Sequence, residues 1–137
     1  MAMNMTLSHD HIAIRVVDYA STLRWYTEKL DFHVDVEWPY SDMQLAYLSN
    51  GTAKVEVLGG ATAEPQPDPI SLEPTFRREG LNHFCLAIED FDGTLAELRS
   101  RGVERVGEPF VVEEINRNLA FVKDNSGNLI ELSGPRG

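Results

Sequence analysis

The sequence predicts an α+β chain in which one βαβββ module occurs twice, joined by a proline-rich connection. Three observations carry this: an ordered internal repeat, a change from strand to helix periodicity at the start of each copy, and three short strand-like runs after each helix. Laid on itself, the stretch from His11 through Asp18 and Tyr19 to Leu23 matches the stretch from His83 through Asp90 and Phe91 to Leu95 at a constant offset of 72. Leu45-Ala46-Tyr47-Leu48 then matches Leu119-Ala120-Phe121-Val122 at 74, and Val55-Glu56-Val57-Leu58-Gly59 matches Ile130-Glu131-Leu132-Ser133-Gly134 at 75. The drift is what insertions in turns produce. It divides a single domain of 137 residues into module 1 (8–59), a connection (60–80) and module 2 (81–134).

Each element follows from its residues. Over 9–17, Ile12, Ile14 and Val16 alternate with His9, His11, Ala13, Arg15 and Val17, which is a strand with one apolar face. Asp18 stands where a helix N-cap belongs, because its carboxylate can accept from the free N–H groups of the first turn. Tyr19, Leu23, Tyr26 and Leu30 then form the stripe of an amphipathic helix. Module 2 repeats the pattern with Asp90 as cap and Phe91, Leu95 and Leu98 as stripe, ending at Gly102, a natural C′ residue. Strands are expected over 33–38, 43–49 and 53–58, and again over 109–113, 117–123 and 128–133. Turn signals separate them at Pro39 to Asp42, Asn50-Gly51 and Asp124 to Gly127. Four of the seven prolines, Pro65, Pro67, Pro69 and Pro74, stiffen the connection. It reads either as a solvated linker or as a flap bringing Arg77 and Arg78 near an anionic substrate.

Composition narrows the partners. Hydrophobic residues make up 42% and charged residues 25%, the balance of an ordinary globular protein. The net charge of −10 opposes binding to nucleic acid or to an anionic membrane surface. No run approaches membrane-spanning length, and Met1 to Asn4 do not open a secretory signal. One cysteine, Cys85, forms no intrachain bridge and fits a reducing compartment, so a cytoplasmic location is expected.

The repeat keeps four residues with chemistry. His11 and His83 share one place on the first strands, and Glu56 and Glu131 share one place on the last strands. Both glutamates are flanked by apolar residues, so alternation sets them opposite a buried face, where a dry, unpaired carboxylate is costly. Facing a common concavity, two imidazoles and two carboxylates would suit a divalent transition metal with positions left for water or substrate. Taken singly, each is more ordinarily a core or surface residue; the matched placement in both halves is what favours metal. His9 aligns with Leu81, which binds nothing, and His33 has no partner ligand. Cys85 either lines the pocket or fills a small apolar space. Arg15 shares the face of His11 and either clamps a substrate carboxylate or pairs with an acid such as Glu56. Lys54 could act similarly.

With these residues in place, the chain resembles the vicinal oxygen chelate superfamily, the glyoxalase/bleomycin-resistance/dioxygenase group, from about Ser8 to Ser133. The resemblance rests on His11-Ile-Ala-Ile-Arg-Val-Val-Asp18 with Trp25-Tyr26 and Leu30-Asp31-Phe32, on Val55-Glu56-Val57, on Asn82-His83-Phe84, and on Phe121 to Asp124 with Gly127 to Leu132. It implies that the modules build a curved mixed sheet around a metal-binding cavity, commonly in a homodimer. It also implies a chemistry in which the metal chelates adjacent substrate oxygens and stabilises an enediolate-like intermediate. The set His11, Glu56, His83 and Glu131 is similar to the metal ligands of glyoxalase I enzymes. By that likeness Glu131, or else Glu56, moves the substrate proton, and Arg15 contacts the substrate.

The function so implied is a metal-dependent lyase or isomerase acting on a small carbonyl substrate such as a hemithioacetal. One nickel, zinc, cobalt or manganese ion per site is expected. Gly60 replaces the asparagine that commonly holds glutathione in such enzymes, and the long connection also departs from small bacterial glyoxalases. The substrate is therefore less defined than the chemistry. Two other readings use the same scaffold: an Fe(II) extradiol-type dioxygenase, which a fourth ligand at Glu56 would obstruct, and a non-catalytic ligand-binding module.

Overall fold

The computed structural model describes residues 3–136; Met1 and Ala2, part of the N-terminal stretch read above, and Gly137 lie outside the described residues. Module 1 runs β1 (Ile12–Val16), α1 (Tyr19–Lys29), β2 (His33–Tyr40), β3 (Met43–Ser49) and β4 (Lys54–Gly59). Module 2 runs β5 (His83–Ala87), α2 (Phe91–Ser100), β6 (Glu104–Arg105), β7 (Phe110–Val112), β8 (Arg117–Lys123) and β9 (Leu129–Pro135). The first sheet has the order β1-β4-β3-β2 and the second β5-β9-β8-β6, with β7 also on β8. In both, the first strand lies parallel to the last and the other pairings are antiparallel. The βαβββ plan read twice in the sequence is the plan of the fold.

The local signals act as their chemistry requires. Asp18 Oδ1 accepts from the Ser21 amide at 3.0 Å, and Asp90 Oδ1 accepts from the Gly93 amide at 3.0 Å. After α1, Asp31 adopts φ +58°, a left-handed position that Asp tolerates better than most residues. The repeat also explains two glycines that end the last strands. A Cβ at Gly59 would fall 2.5 Å from Tyr19 Cβ, and one at Gly134 would fall 2.9 Å from Phe91 Cβ. Each helix start thus lies against the bare backbone of its own module's final strand.

Two expectations shift. The strand expected over 33–38 continues through Pro39 to Tyr40. Proline lacks an N–H, but β2 is the outermost strand of its sheet, where a missing donor leaves no ladder bond broken. In module 2 the strand expected over 109–113 is β7, and a further two-residue strand, β6, precedes it where none was expected. Gly107, at φ +81°, and Pro109 interrupt the line between them.

The modules share one core. Ile14, Val16, Val55 and Val57 from the first sheet join Tyr26 of α1, Leu98 of α2, and Val122, Ile130 and Leu132 from the second. Tyr26 is fully buried, and its hydroxyl donates to Asp124 Oδ2 at 2.7 Å across the modules. The connection is docked rather than free. Gln66 Nε2 donates to the Ser126 carbonyl at 2.9 Å, and Lys123 Nζ donates to Asp68 Oδ2 at 2.7 Å. Leu72 packs against Val106, Phe121 and Leu129. No helix among the described residues is long and apolar enough to cross a membrane.

Candidate metal centre

Strand alternation places the candidate ligands on the faces that point away from the shared core. In the parallel pairings Glu56 lies beside Ala13 and Glu131 beside Cys85. His11 and His83 each stand two residues earlier on the chain and reach the same glutamates. His11 Nε2 is 3.4 Å from Glu56 Oε1, and His83 Nε2 is 3.8 Å from Glu131 Oε1. All four side chains are partly exposed, the histidines at 27% and 29% and the glutamates at 17% and 18%, so a small ligand can reach them.

The structure brings these residues together two and two. Among the described residues no three His, Cys, Asp or Glu side chains converge as a metal-ligating group. The reason lies in the packing: the opposite faces of both sheets are taken up by the common core, which turns the two histidine faces outward. A single chain therefore presents two separate His–Glu pairs, each a candidate half-site.

The half-sites are built alike. Each histidine has its Nδ1 against a side-chain oxygen of the preceding residue, Asp10 Oδ2 at 2.6 Å for His11 and Asn82 Oδ1 at 2.7 Å for His83. A carboxylate or amide oxygen only accepts, so each contact is a hydrogen bond in the Nδ1–H form of its ring. In that form each Nε2 carries its lone pair on the side of the glutamate. An imidazole nitrogen and a carboxylate oxygen are both ligand types for a divalent cation, so each pair offers two candidate ligand atoms to one ion. The His11 bond and the Lys54 ammonium, 3.7 Å away, hold the Asp10 carboxyl below the usual carboxylate range. In the sequence no role falls to Asp10, or to Asn82 beyond its place in the Asn82-His83-Phe84 motif, although the offset of 72 aligns them as well.

Aromatic rings flank each histidine. The Tyr47 ring lies 5.2 Å from His11 and 5.1 Å from Trp38, with Lys54 Nζ 5.1 Å above it. In module 2 the Phe121 ring lies 5.0 Å from His83 and 6.4 Å from Phe110. The connection and the turn before β9 border an open cleft of about 550 Å³ beside Asn82, lined also by Thr75, Arg78, Leu81 and Leu129.

The other candidates are placed as follows. Arg15 Nη1 donates to the carbonyls of Val16, Leu58 and Gly60 at 2.9, 3.0 and 3.3 Å, and Nη2 donates to Thr62 Oγ1 at 2.9 Å. No carboxylate among the described residues pairs with it, and it borders a second cavity, of about 750 Å³, together with Asp18, Ser21 and Asn125. His9 is exposed, and His33 is an exposed residue 3.0 Å from Asp35. Arg77 lies 3.8 Å from Glu73 on the outside of the connection.

Cys85 departs from the small apolar role weighed for it: it is exposed, on the Glu131 side of β5. Partial desolvation by its neighbours, together with the hydrogen bond and negative charge of Glu131, pushes its thiol up to about 12. In the metal-free protein Cys85 should therefore react with a disulfide reagent at pH 7.5 at least about 100-fold more slowly than a free thiol, because the thiolate is the nucleophile. Glu131→Gln should speed it. Reaction at the free-thiol rate in the unsubstituted chain would mean that the carboxylate does not hold the thiol.

Over residues 8–132 the chain matches the Glyoxalase/Bleomycin resistance protein/Dioxygenase superfamily, and it belongs to that superfamily. Among its relatives, YraH of Bacillus subtilis is 28% identical over 88% of this chain and 93% of its own. A Synechocystis protein named a probable lactoylglutathione lyase is 27% identical over 89% of this chain and 91% of its own. Of solved structures, a glyoxalase family protein from Enterococcus faecalis superposes with a TM-score of 0.77 at 23% identity, covering 92% of this chain and 96% of that one, which shows the shared fold.

Proposed function

We propose that the chain is a divalent-metal-dependent lyase or isomerase of the glyoxalase I kind, moving a proton next to the carbonyl of a small substrate such as a hemithioacetal. One observation carries this: in each half-site an imidazole lone pair, its tautomer set by Asp10 or Asn82, faces a glutamate oxygen at 3.4 or 3.8 Å. Two such donor sets fit a divalent transition ion, and their two carboxylates balance its charge. The Synechocystis relative named a probable lactoylglutathione lyase supports the same chemistry.

His11, Glu56, His83 and Glu131 would hold the ion, which supplies polarisation of a substrate carbonyl and so acidifies the neighbouring C–H. Glu131 accepts that proton at a carboxylate oxygen and returns it to the adjacent carbon. Glu131 is favoured over Glu56 because it stands farther from its histidine and has the Cys85 thiol beside it. Tyr47, Trp38, Phe121 and Phe110 exclude water from the substrate's apolar part. Arg15, held by backbone carbonyls, offers its guanidinium to a substrate carboxylate.

The reading includes a second copy of the chain. β1 and β5 are the outermost strands of their sheets, with His11 next to one open edge and His83 on the other. A copy that sets its β5 edge against β1 would join His11 and Glu56 to the partner's His and Glu pair. The same reading assigns the homodimer to the cytoplasm, with a small molecule as its other partner.

Elemental analysis of untagged protein tests the proposal. About one nickel, zinc, cobalt or manganese ion per chain is expected, lost in His83→Ala and in His11→Ala alike. Iron together with O₂ uptake on a catechol would replace the isomerase by a dioxygenase. No ion, even after loading, would overturn both and leave a ligand-binding module.

A further inference from the structure

The two half-sites differ in what stands behind each histidine. Asp10 is an exposed carboxylate whose further partner is Lys54. Asn82 is half-buried, and its amide Nδ2 donates to the carbonyl and to the hydroxyl oxygen of Thr75, both at 3.2 Å. Thr75 lies in the 3-10 turn Glu73–Arg77 of the connection. Its hydroxyl proton is already given to the Leu72 carbonyl at 2.6 Å, so both Thr75 oxygens can only accept from Asn82. The amide is thereby oriented: Nδ2 must face Thr75 and Oδ1 must face His83. Leu72 packs against the cluster of Val106, Phe121 and Leu129, and the Phe121 ring of that cluster lies against His83. One turn of the connection thus holds both the hydrogen-bond partner and the aromatic neighbour of this histidine.

We propose that Asn82, oriented by Thr75, is a positioning residue that fixes the tautomer and ring orientation of His83, so that its Nε2 lone pair is presented toward Glu131. The consequence for metal affinity rests on the function proposed above; the tautomer does not. Groups that orient a ligating histidine from behind commonly contribute 10- to 100-fold to metal affinity. The proline-rich connection is then part of the half-site, and module 1 has no counterpart to it.

The test is long-range ¹H–¹⁵N correlation of the histidine rings in metal-free protein, joined to calorimetric titration with zinc and nickel. In the unsubstituted chain His83 should give one set of signals with the hydrogen on Nδ1. Asn82→Ala should lose that single form and bind metal about 10- to 100-fold more weakly. Asn82→Asp keeps the acceptor for Nδ1 and loses the donor to Thr75, so it should retain the tautomer and bind within about threefold of the unsubstituted chain. A residue needed only to hold the 72–75 turn would fail alike as Ala and as Asp. The signals of His11 report in the same spectra whether the variants fold; should Asn82→Ala unfold, Asn82→Asp alone decides. Retention of the Nδ1 form in a folded Asn82→Ala, or its loss in a folded Asn82→Asp, overturns the proposal. Should the unsubstituted chain bind no divalent ion, the metal function falls while the ring signals still settle the role of Asn82.

Discussion

Glu131→Gln should lower exchange of the substrate α-proton by about 10³-fold, the size of effect expected when a positioned general base is removed. Gln keeps the shape of Glu and can still offer an oxygen to a cation, but it takes up no proton near neutral pH. The loss should therefore fall on the rate, corresponding to about 4 kcal/mol of transition-state stabilisation, while the thermal midpoint stays within a few degrees. The companion variant Glu56→Gln sits in the tighter pair, 3.4 Å from its histidine against 3.8 Å for Glu131. It should weaken retention of the ion more than it slows exchange by the ion-loaded protein. Deuterium exchange into a hemithioacetal, followed by NMR with ion content measured in parallel, separates the two. Exchange within twofold of the unsubstituted rate in Glu131→Gln would remove Glu131 from the base role, and a larger loss in Glu56→Gln would exchange the two assignments.

The largest effect on stability should come from Asp124→Ala. This carboxylate is 5% exposed and accepts four hydrogen bonds. The Ser126 and Asn128 amides and Asn128 Nδ2 come from its own turn, at 2.9, 2.9 and 3.0 Å. The fourth, from the Tyr26 hydroxyl, crosses to the other module. Removing the carboxylate strands donors in a place with little water, which costs about 3 kcal/mol and lowers the melting midpoint by roughly 10 °C. Tyr26→Phe removes one donor and should cost about 1–2 kcal/mol. Because the two residues touch, the double variant should lose less than the sum of the single losses. A midpoint for Asp124→Ala within 2 °C of the unsubstituted chain would show that water replaces the carboxylate.

Much of this was legible in the chain because the fold says most things twice. The offset of 72 aligned two strands, two capping aspartates and two histidines, and the same alternation that buries Val55, Val57, Ile130 and Leu132 sets Glu56 and Glu131 on the opposite faces. Periodicity reports which face a residue occupies and is silent on where that face points. The four candidate ligands could thus be read as one set, whereas the packing of two sheets on a common core divides them into pairs. Cys85 was ambiguous for a related reason: its strand position was clear, but β5 lies at an open sheet edge. Arg15 pairs with no acid among the described residues; three of its four partners are backbone carbonyls, which leave no trace in side-chain patterning. The break between β6 and β7 has a visible cause in Gly107 and Pro109, while β6, two residues long, is too short for alternation to mark it. Asp10 and Asn82 carried a usable signal, two oxygen-bearing side chains directly before the repeated histidines.

The core common to both modules has a thermodynamic consequence. Neither module closes its apolar surface alone: Ile14 and Val57 belong to the same cluster as Ile130 and Leu132, and Asp124 fastens one module to a helix of the other. Heating should disrupt everything in a single all-or-none event, absorbing about 0.7 kcal/mol per residue, or roughly 95 kcal/mol for the chain. The halves then have no melting temperatures of their own. A molecule captured on either outward face stabilises the whole chain by mass action, and the shift of that one transition registers its occupancy wherever on the chain it sits.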